Sequence, residues 1–154
     1  MYVMSLNHIY TPEEENQLFG RDMMVEYLST GGLDLKVDGT GDIQLSNGLA
    51  ELTISAITML LSTVYDYLSG NGELPFHPTF GSSLPRLLLS ADATEEQIDL
   101  IQNEIYLSVF SNFSDIVAGV EFPYVGYDSV NRTLELHINV YTVTGSLGSV
   151  VMVV

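Results

Sequence analysis

Thr133-Leu134-Glu135-Leu136-His137-Ile138-Asn139-Val140-Tyr141 alternates apolar with polar residues over its whole length. Period two is the signature of a strand with one face buried, so Leu134, Leu136, Ile138 and Val140 should point inward and Glu135, His137, Asn139 and Tyr141 outward. Upstream, Ile116, Ala118, Val120, Phe122 and Tyr124 repeat the pattern, and Ser129-Val130-Asn131-Arg132 supplies a turn between the two runs. A hairpin is the simplest reading. Downstream, Ser149-Val150-Val151-Met152-Val153-Val154 is a β-prone apolar run. Left free it would be an aggregation hazard, so it should be paired, by this sheet or by another chain, with the internal pairing favoured.

The first two thirds of the chain have the other period. Thr11-Pro12-Glu13-Glu14 opens a helix, with a capping hydroxyl, Pro at the first helical position and acids in the first turn. It is expected to run from Pro12 to about Leu28, where Ser29-Thr30-Gly31-Gly32 ends it. Leu33 to Val37 alternates as a short strand, and Asp38-Gly39-Thr40-Gly41-Asp42 turns the chain into Ile43-Gln44-Leu45. Ser46-Asn47-Gly48 caps a helix expected over Leu49 to Leu68, with Leu49, Leu52, Ala56, Ile57, Leu60, Leu61, Val64 and Leu68 as its apolar stripe. Ser82-Ser83-Leu84-Pro85 begins a short helix through Leu89. Thr94-Glu95-Glu96-Gln97 is a capping box for a helix through about Phe110 that buries Ile98, Ile101, Ile105 and Val109.

Helices followed by strands define an α+β fold, with amphipathic helices packed on a mainly antiparallel sheet formed largely by the C-terminal half. At 154 residues and 46% hydrophobic content the chain makes one globular unit. Within it, residues 1–32 read as an N-terminal extension carrying a helix, and 33–154 as the α+β domain proper. Leu18, Phe19, Val25 and Leu28 of the extension either cover the core or bind a neighbour, and Met23-Met24 adds adaptable apolar surface in both cases.

Four basic residues, Arg21, Lys36, Arg86 and Arg132, stand against twenty acids, for a formal charge of −16. Such a chain repels nucleic acid, whose binding depends on cations displacing counterions from phosphate. With no cysteine, disulfides, thiolate metal sites and Cys nucleophiles are excluded. The N-terminus lacks a basic region, and its apolar runs are too short for a signal or a membrane span, which predicts a soluble, non-secreted protein without membrane contact.

One segment resists both periods. Gly72-Glu73-Leu74-Pro75-Phe76-His77-Pro78-Thr79-Phe80-Gly81 follows the central helix and is pinned by two prolines and two glycines, so it must be an ordered, non-helical connector. Glu73 sits just past a helix C-terminus, where the macrodipole disfavours an anion unless something cationic neutralises it, and a partner for it is expected.

Taken in order along the chain, Thr40-Gly41-Asp42-Ile43, then Ala56-Ile57 and Leu60-Leu61-Ser62-Thr63, then Gly72-Glu73, Pro78, Phe80-Gly81-Ser82 and Leu84, the sequence resembles the baseplate wedge or sheath-initiator family of contractile-tailed phages. The type VI secretion baseplate has a related subunit. The resemblance spans roughly residues 33 to 143. It implies a non-enzymatic virion protein of the tail baseplate, assembled in the host cytoplasm in a sixfold ring. Its partners would be other wedge subunits and the tail sheath protein, whose first attachment point it provides, without cofactor, metal or small-molecule substrate. By this likeness Glu73, Pro75, Pro78, Gly81 and Leu84 contact wedge partners, and Val150, Val151 and Val153 contact the sheath. In the family the glutamate is commonly followed by proline and arginine; here Leu74 and Pro75 follow, and the arginine has no counterpart. Removing Val150 to Val154 is expected to impair sheath attachment more than folding.

Because the family has carried a lysozyme-like label, a peptidoglycan glycosidase is the rival, and a small regulatory adaptor of the same fold a third reading. Glycosidases need two carboxylates flanking a cleft; Glu73 with Asp66 or Asp92 can be nominated, but no tryptophan is present to stack on a sugar. His8, His77 and His137 lack the spacing of a zinc helix. Asp34, Asp38 and Asp42 fail as a calcium loop, since Lys36 intrudes and no terminal glutamate follows, and a solvated turn accounts for them better. Ser62, Ser82, Ser83 and Ser90 have no nucleophile elbow, and Gly70, Gly72 and Gly81 are not spaced to cradle phosphate.

Overall fold

The protein is described by a computed structural model covering residues 8–27, 33–66, 69–73, 76, 79–89, 94–128, 130–131 and 133–153. In chain order the elements are α1 (Pro12–Phe19), β1 (Val25–Tyr27), β2 (Leu33–Leu35), α2 (Leu49–Ser62), β3 (Tyr65–Asp66), β4 (Asn71–Gly72), α3 (Leu84–Leu89), α4 (Glu95–Phe113), β5 (Val117–Asp128), β6 (Thr133–Thr142) and β7 (Leu147–Val153). The architecture is α+β, with the last three strands forming an antiparallel sheet in the order β5-β6-β7.

β6 is the central strand, and its alternation is realised without exception: Leu134, Leu136, Ile138 and Val140 are buried, while Glu135, His137, Asn139 and Tyr141 are only partly so. One core holds the inner face of β6 against Ile57 and Leu61 of α2, Leu84 of α3, and Ile101, Ile105 and Val109 of α4. The terminal apolar run pairs internally, in seven consecutive rungs from Glu135↔Val153 to Tyr141↔Leu147. β5 departs from simple alternation. Its register shifts between Val117 and Gly119 and again between Glu121 and Tyr124. Each irregularity re-aims the side chains, so Ala118 and Tyr124, expected to share a face with Val120 and Phe122, are exposed, while Val117 and Val125 turn to the core.

The N-terminal segment also differs from expectation. α1 has the full capping box, with Thr11 Oγ1 accepting from Glu14 N–H and the Glu14 carboxylate from Thr11 N–H, but it ends at Phe19 rather than Leu28. Gly20, at φ +83°, donates its N–H back to the Asn16 carbonyl and closes the helix, which frees Val25–Tyr27 to pair with Leu33–Leu35. Leu28 lies outside the described residues. Nor does this segment stand apart: Glu15 is buried, and its carboxylate accepts from the Thr144 hydroxyl at 2.5 Å and the Ser146 hydroxyl at 3.4 Å in the β6–β7 turn.

α2 is shorter than its stripe suggested, ending at Ser62. Its buried surface includes Thr53, Ser55 and Thr58, hydroxyls that a hydropathy pattern passes over. Thr53 and Thr58 donate to the carbonyls of Leu49 and Ile54 one turn back, which satisfies them inside the core. Ser55 instead reaches across to β1, accepting from Val25 N–H at 3.1 Å and donating to the Met23 carbonyl at 3.0 Å. That clamp fixes β1 beside the helix.

Candidate docking site

The connector begins where α2 stops. Thr63 and Tyr65 exchange backbone hydrogen bonds with Ser82, while Val64 between them faces the other way and pairs with Glu73. Glu73 N–H donates to the Val64 carbonyl at 3.0 Å, and the Glu73 carboxylate accepts the Val64 N–H at 3.0 Å. The side chain thus stands where a strand carbonyl would, closing the base of the β3–β4 hairpin. The partner of Glu73 is therefore a backbone amide just past the helix, in place of the cation expected. Gly81 lies on the opposite side of the same segment. Its φ is +136°, and a Cβ there would come within 2.7 Å of the Thr63 carbonyl oxygen, so only glycine fits.

Glu73 and Gly81 are thereby held a strand-width apart across residues 63–65, which fixes both ends of the connector. Pro75 and Pro78 lie outside the described residues. Between them Phe76 is 92% exposed, an aromatic side chain held out at the connector's midpoint that residue-by-residue pattern reading passed over. Leu84 is fully buried in the core, so it sets the position of α3 rather than offering a surface to a partner. As the first residue of α3, it anchors the start of that helix in the core. α3 is further pinned by Glu104 of α4, whose carboxylate accepts the Ser83 N–H at 2.8 Å.

The terminal valines divide between two roles. Val150 packs inward against the core beside the fully enclosed Met152, whereas Val151 and Val153 are 48% and 49% exposed on the outer face. Removing Val150 to Val154 would therefore take Met152 out of the core, so folding itself bears a cost in that truncation.

Beside β7 runs a trough of about 410 Å³. Its near wall is Leu147–Val151 of β7, its floor Ala50, Ile54 and Thr58 of α2, and its far wall Met24, Val25 and Glu26, the stretch clamped by Ser55. Gly148 lets the helix pass close under the strand: a Cβ there would meet Ile54 Cγ1 at 2.4 Å. Lys36 lies at the trough's margin with Glu26 and Glu51. Among the described residues β7 pairs with β6 alone, and its other edge faces this trough.

On the outer face, Tyr141 donates to Glu121 at 2.9 Å, and this bond to a carboxylate raises the phenol's pKa. His137 meets Glu135 at 2.6 Å and the ring of Tyr124 at a centroid distance of 4.9 Å. Among the described residues no group of three or more His, Asp or Glu is placed to hold a metal, and no helix is long and apolar enough to cross a membrane. No protein-family model matches the chain, and no curated protein matches it.

Proposed function

We propose that this protein is a structural subunit of a contractile-tail baseplate, a wedge component that docks through the Glu73–Gly81 connector and initiates the sheath by strand pairing. The observation that carries this reading is the open edge of β7 alongside a preformed trough. An extended segment entering there meets backbone groups of β7 that no other described strand pairs and a floor of Ala50, Ile54 and Thr58 on α2, the two ingredients of strand addition. Register would be set by the alternation along β7, in which Gly148, Val150 and Met152 face inward. The connector supports the docking half, because Glu73 and Gly81 anchor its two ends to residues 63–65 and Phe76 between them is exposed. Copies in a sixfold ring would concentrate negative charge, which basic surfaces on wedge neighbours would offset.

Cryo-electron microscopy of the contractile particle that carries this chain tests the proposal. The expected result is a sheath-derived strand lying against β7 in the trough, with the connector on the wedge side. Sheath density on the β5 edge, or absence of the chain from the wedge–sheath junction, would overturn it. Glu73→Gln separates docking from hydrolysis: the amide oxygen still accepts the Val64 N–H while the charge is lost. Failed wedge assembly by a folded monomer favours docking; lost peptidoglycan cleavage with assembly intact favours the glycosidase.

A further inference from the structure

A second surface stands apart from the connector and the β7 edge. Three short extended segments meet near Met24, whose N–H donates to the Gln44 carbonyl and whose carbonyl accepts from Lys36 N–H, while Gln44 N–H donates to the Lys36 carbonyl. Antiparallel partners share a face. The pairs Val25↔Leu35, Met23↔Leu45 and Val37↔Ile43 therefore place six apolar residues on one side. Five of these, Met23, Leu35, Val37, Ile43 and Leu45, are between 39% and 54% exposed.

That face continues onto α2. Leu52, Ala56 and Met59 lie on the helix surface turned away from the sheet core, and with Met23, Val25 and Leu35 they line an apolar recess of about 270 Å³. A helix that is apolar nearly all round is ordinarily covered on every side. Here one side of α2 is left open, with a methionine on each wall: Met23 and Met59. Thioether side chains on three rotatable bonds adapt to whatever apolar group enters.

The charge around the face is of one sign. Asp38 and Asp42 stand in the turn that joins Val37 to Ile43, whereas Asp34 alternates to the other side of its strand with Lys36. Asp22 lines the recess itself. The nearest cations are turned elsewhere: Arg21 Nε donates to the Ser46 carbonyl at 2.7 Å, and Lys36 lines the trough on the opposite side. We infer that this face is a docking site for a basic amphipathic segment of a partner protein, whose apolar anchor fills the Met23/Met59 recess and whose lysines or arginines meet the surrounding carboxylates. An acidic or neutral segment would bring no charge to offset the rim, and a second copy of this chain would add acid to acid. The inference is independent of the wedge reading.

The test uses the full-length protein, 13C-labelled at its methionine methyls, and two synthetic 18-residue helical peptides of leucine with lysine and of leucine with glutamate. The Leu/Lys peptide is expected to bind saturably and to shift Met23 and Met59 while leaving the buried Met152 unmoved. Met59→Ser with Leu35→Ser should weaken it about tenfold, and Asp22→Asn should weaken it at low salt and flatten its salt dependence. Both sites are partly exposed, so the fold is checked by the unchanged Met152 signal. Equal binding of the two peptides would overturn the proposal, as would shifts confined to other methionines or an unaltered affinity in the double variant. Concentration-dependent shifts of Met23 and Met59 without any peptide would also overturn it, by assigning the face to self-association.

Discussion

The sheet's two edges, β5 and β7, are built from the same kind of apolar sequence and present opposite surfaces. β5 carries two register irregularities, and Pro123 sits inside the second, between Glu121 and Tyr124. Proline supplies no N–H, and a bulge twists the strand away from a flat template, so this edge is closed to an incoming strand by its own backbone. β7 has seven regular rungs, no proline, and a trough along its unpaired side. An edge guarded on one side and smooth on the other teaches that pairing at β7 has been left available, which is the physical basis of the proposed sheath contact.

The comparison can be broken first at β7 itself. If only the outer half of that strand is available for partners, its inner half must behave as core. Met152→Ala should destabilise the fold by about 2–5 kcal/mol in urea unfolding, whereas Val151→Lys should stay within about 0.5 kcal/mol. Equal losses at the two positions would mean that β7 is structural throughout. Next in size, Gly148→Ala forces a Cβ into Ile54 and should cost about 1–3 kcal/mol, with a good part restored by Ile54→Ala in the double variant. Simple additivity there would show that the close approach of α2 to the strand is not what shapes the trough.

On the β5 side the guard can be removed. Pro123→Val restores a backbone donor, and sedimentation is expected to show concentration-dependent association at little cost in stability, within about 1 kcal/mol. A variant that stays monomeric would assign the protection to the bulges alone.

Much of this asymmetry was legible in the sequence, and its limits are physical. The alternation of Leu134 to Val140 and the cap at Thr94 predicted β6 and the start of α4 because each pattern is local, and in the structure Thr94 Oγ1 accepts from Gln97 N–H. β5 was read as one unbroken alternation because a bulge changes which face a side chain takes without changing hydropathy. The sequence marks no end to α1 before Ser29-Thr30-Gly31-Gly32 other than Gly20, and it is the bonds of Gln44 to Met24 and of Ser55 to Met23 and Val25 that make the segment after Gly20 extended. At the connector, Gly81 was legible as a position needing glycine, but the backbone amide that takes up Glu73 belongs to Val64, nine residues earlier, and only the fold brings the two together. The trough left no sequence signal, since its walls come from three distant segments.

The smallest expected effect concerns the turn behind the trough's far wall, whose flanking residues Lys36 and Gln44 bond to Met24, and it asks whether the β7 edge stands without that support. The Asp38 carboxylate accepts from Thr40 Oγ1 at 2.6 Å, Thr40 N–H at 2.8 Å and Asp42 N–H at 3.2 Å, and these bonds hold its pKa below the usual 3.8. A depressed carboxylate pKa stabilises the fold above the unfolded value, and that contribution disappears as pH falls through the lowered folded value. Asp38 is fully exposed, so the contribution is slight. Thr40→Val removes the hydroxyl donor, and the Asp38 titration followed by NMR should move back up toward 3.8. If β6 alone holds β7, hydrogen exchange in the mildly acid range should quicken in residues 36–44 of the variant while the β6–β7 amides keep their protection. Loss of both sets together would mean that the far wall helps to hold β7, and that an incoming strand would meet a trough which opens and closes with the turn.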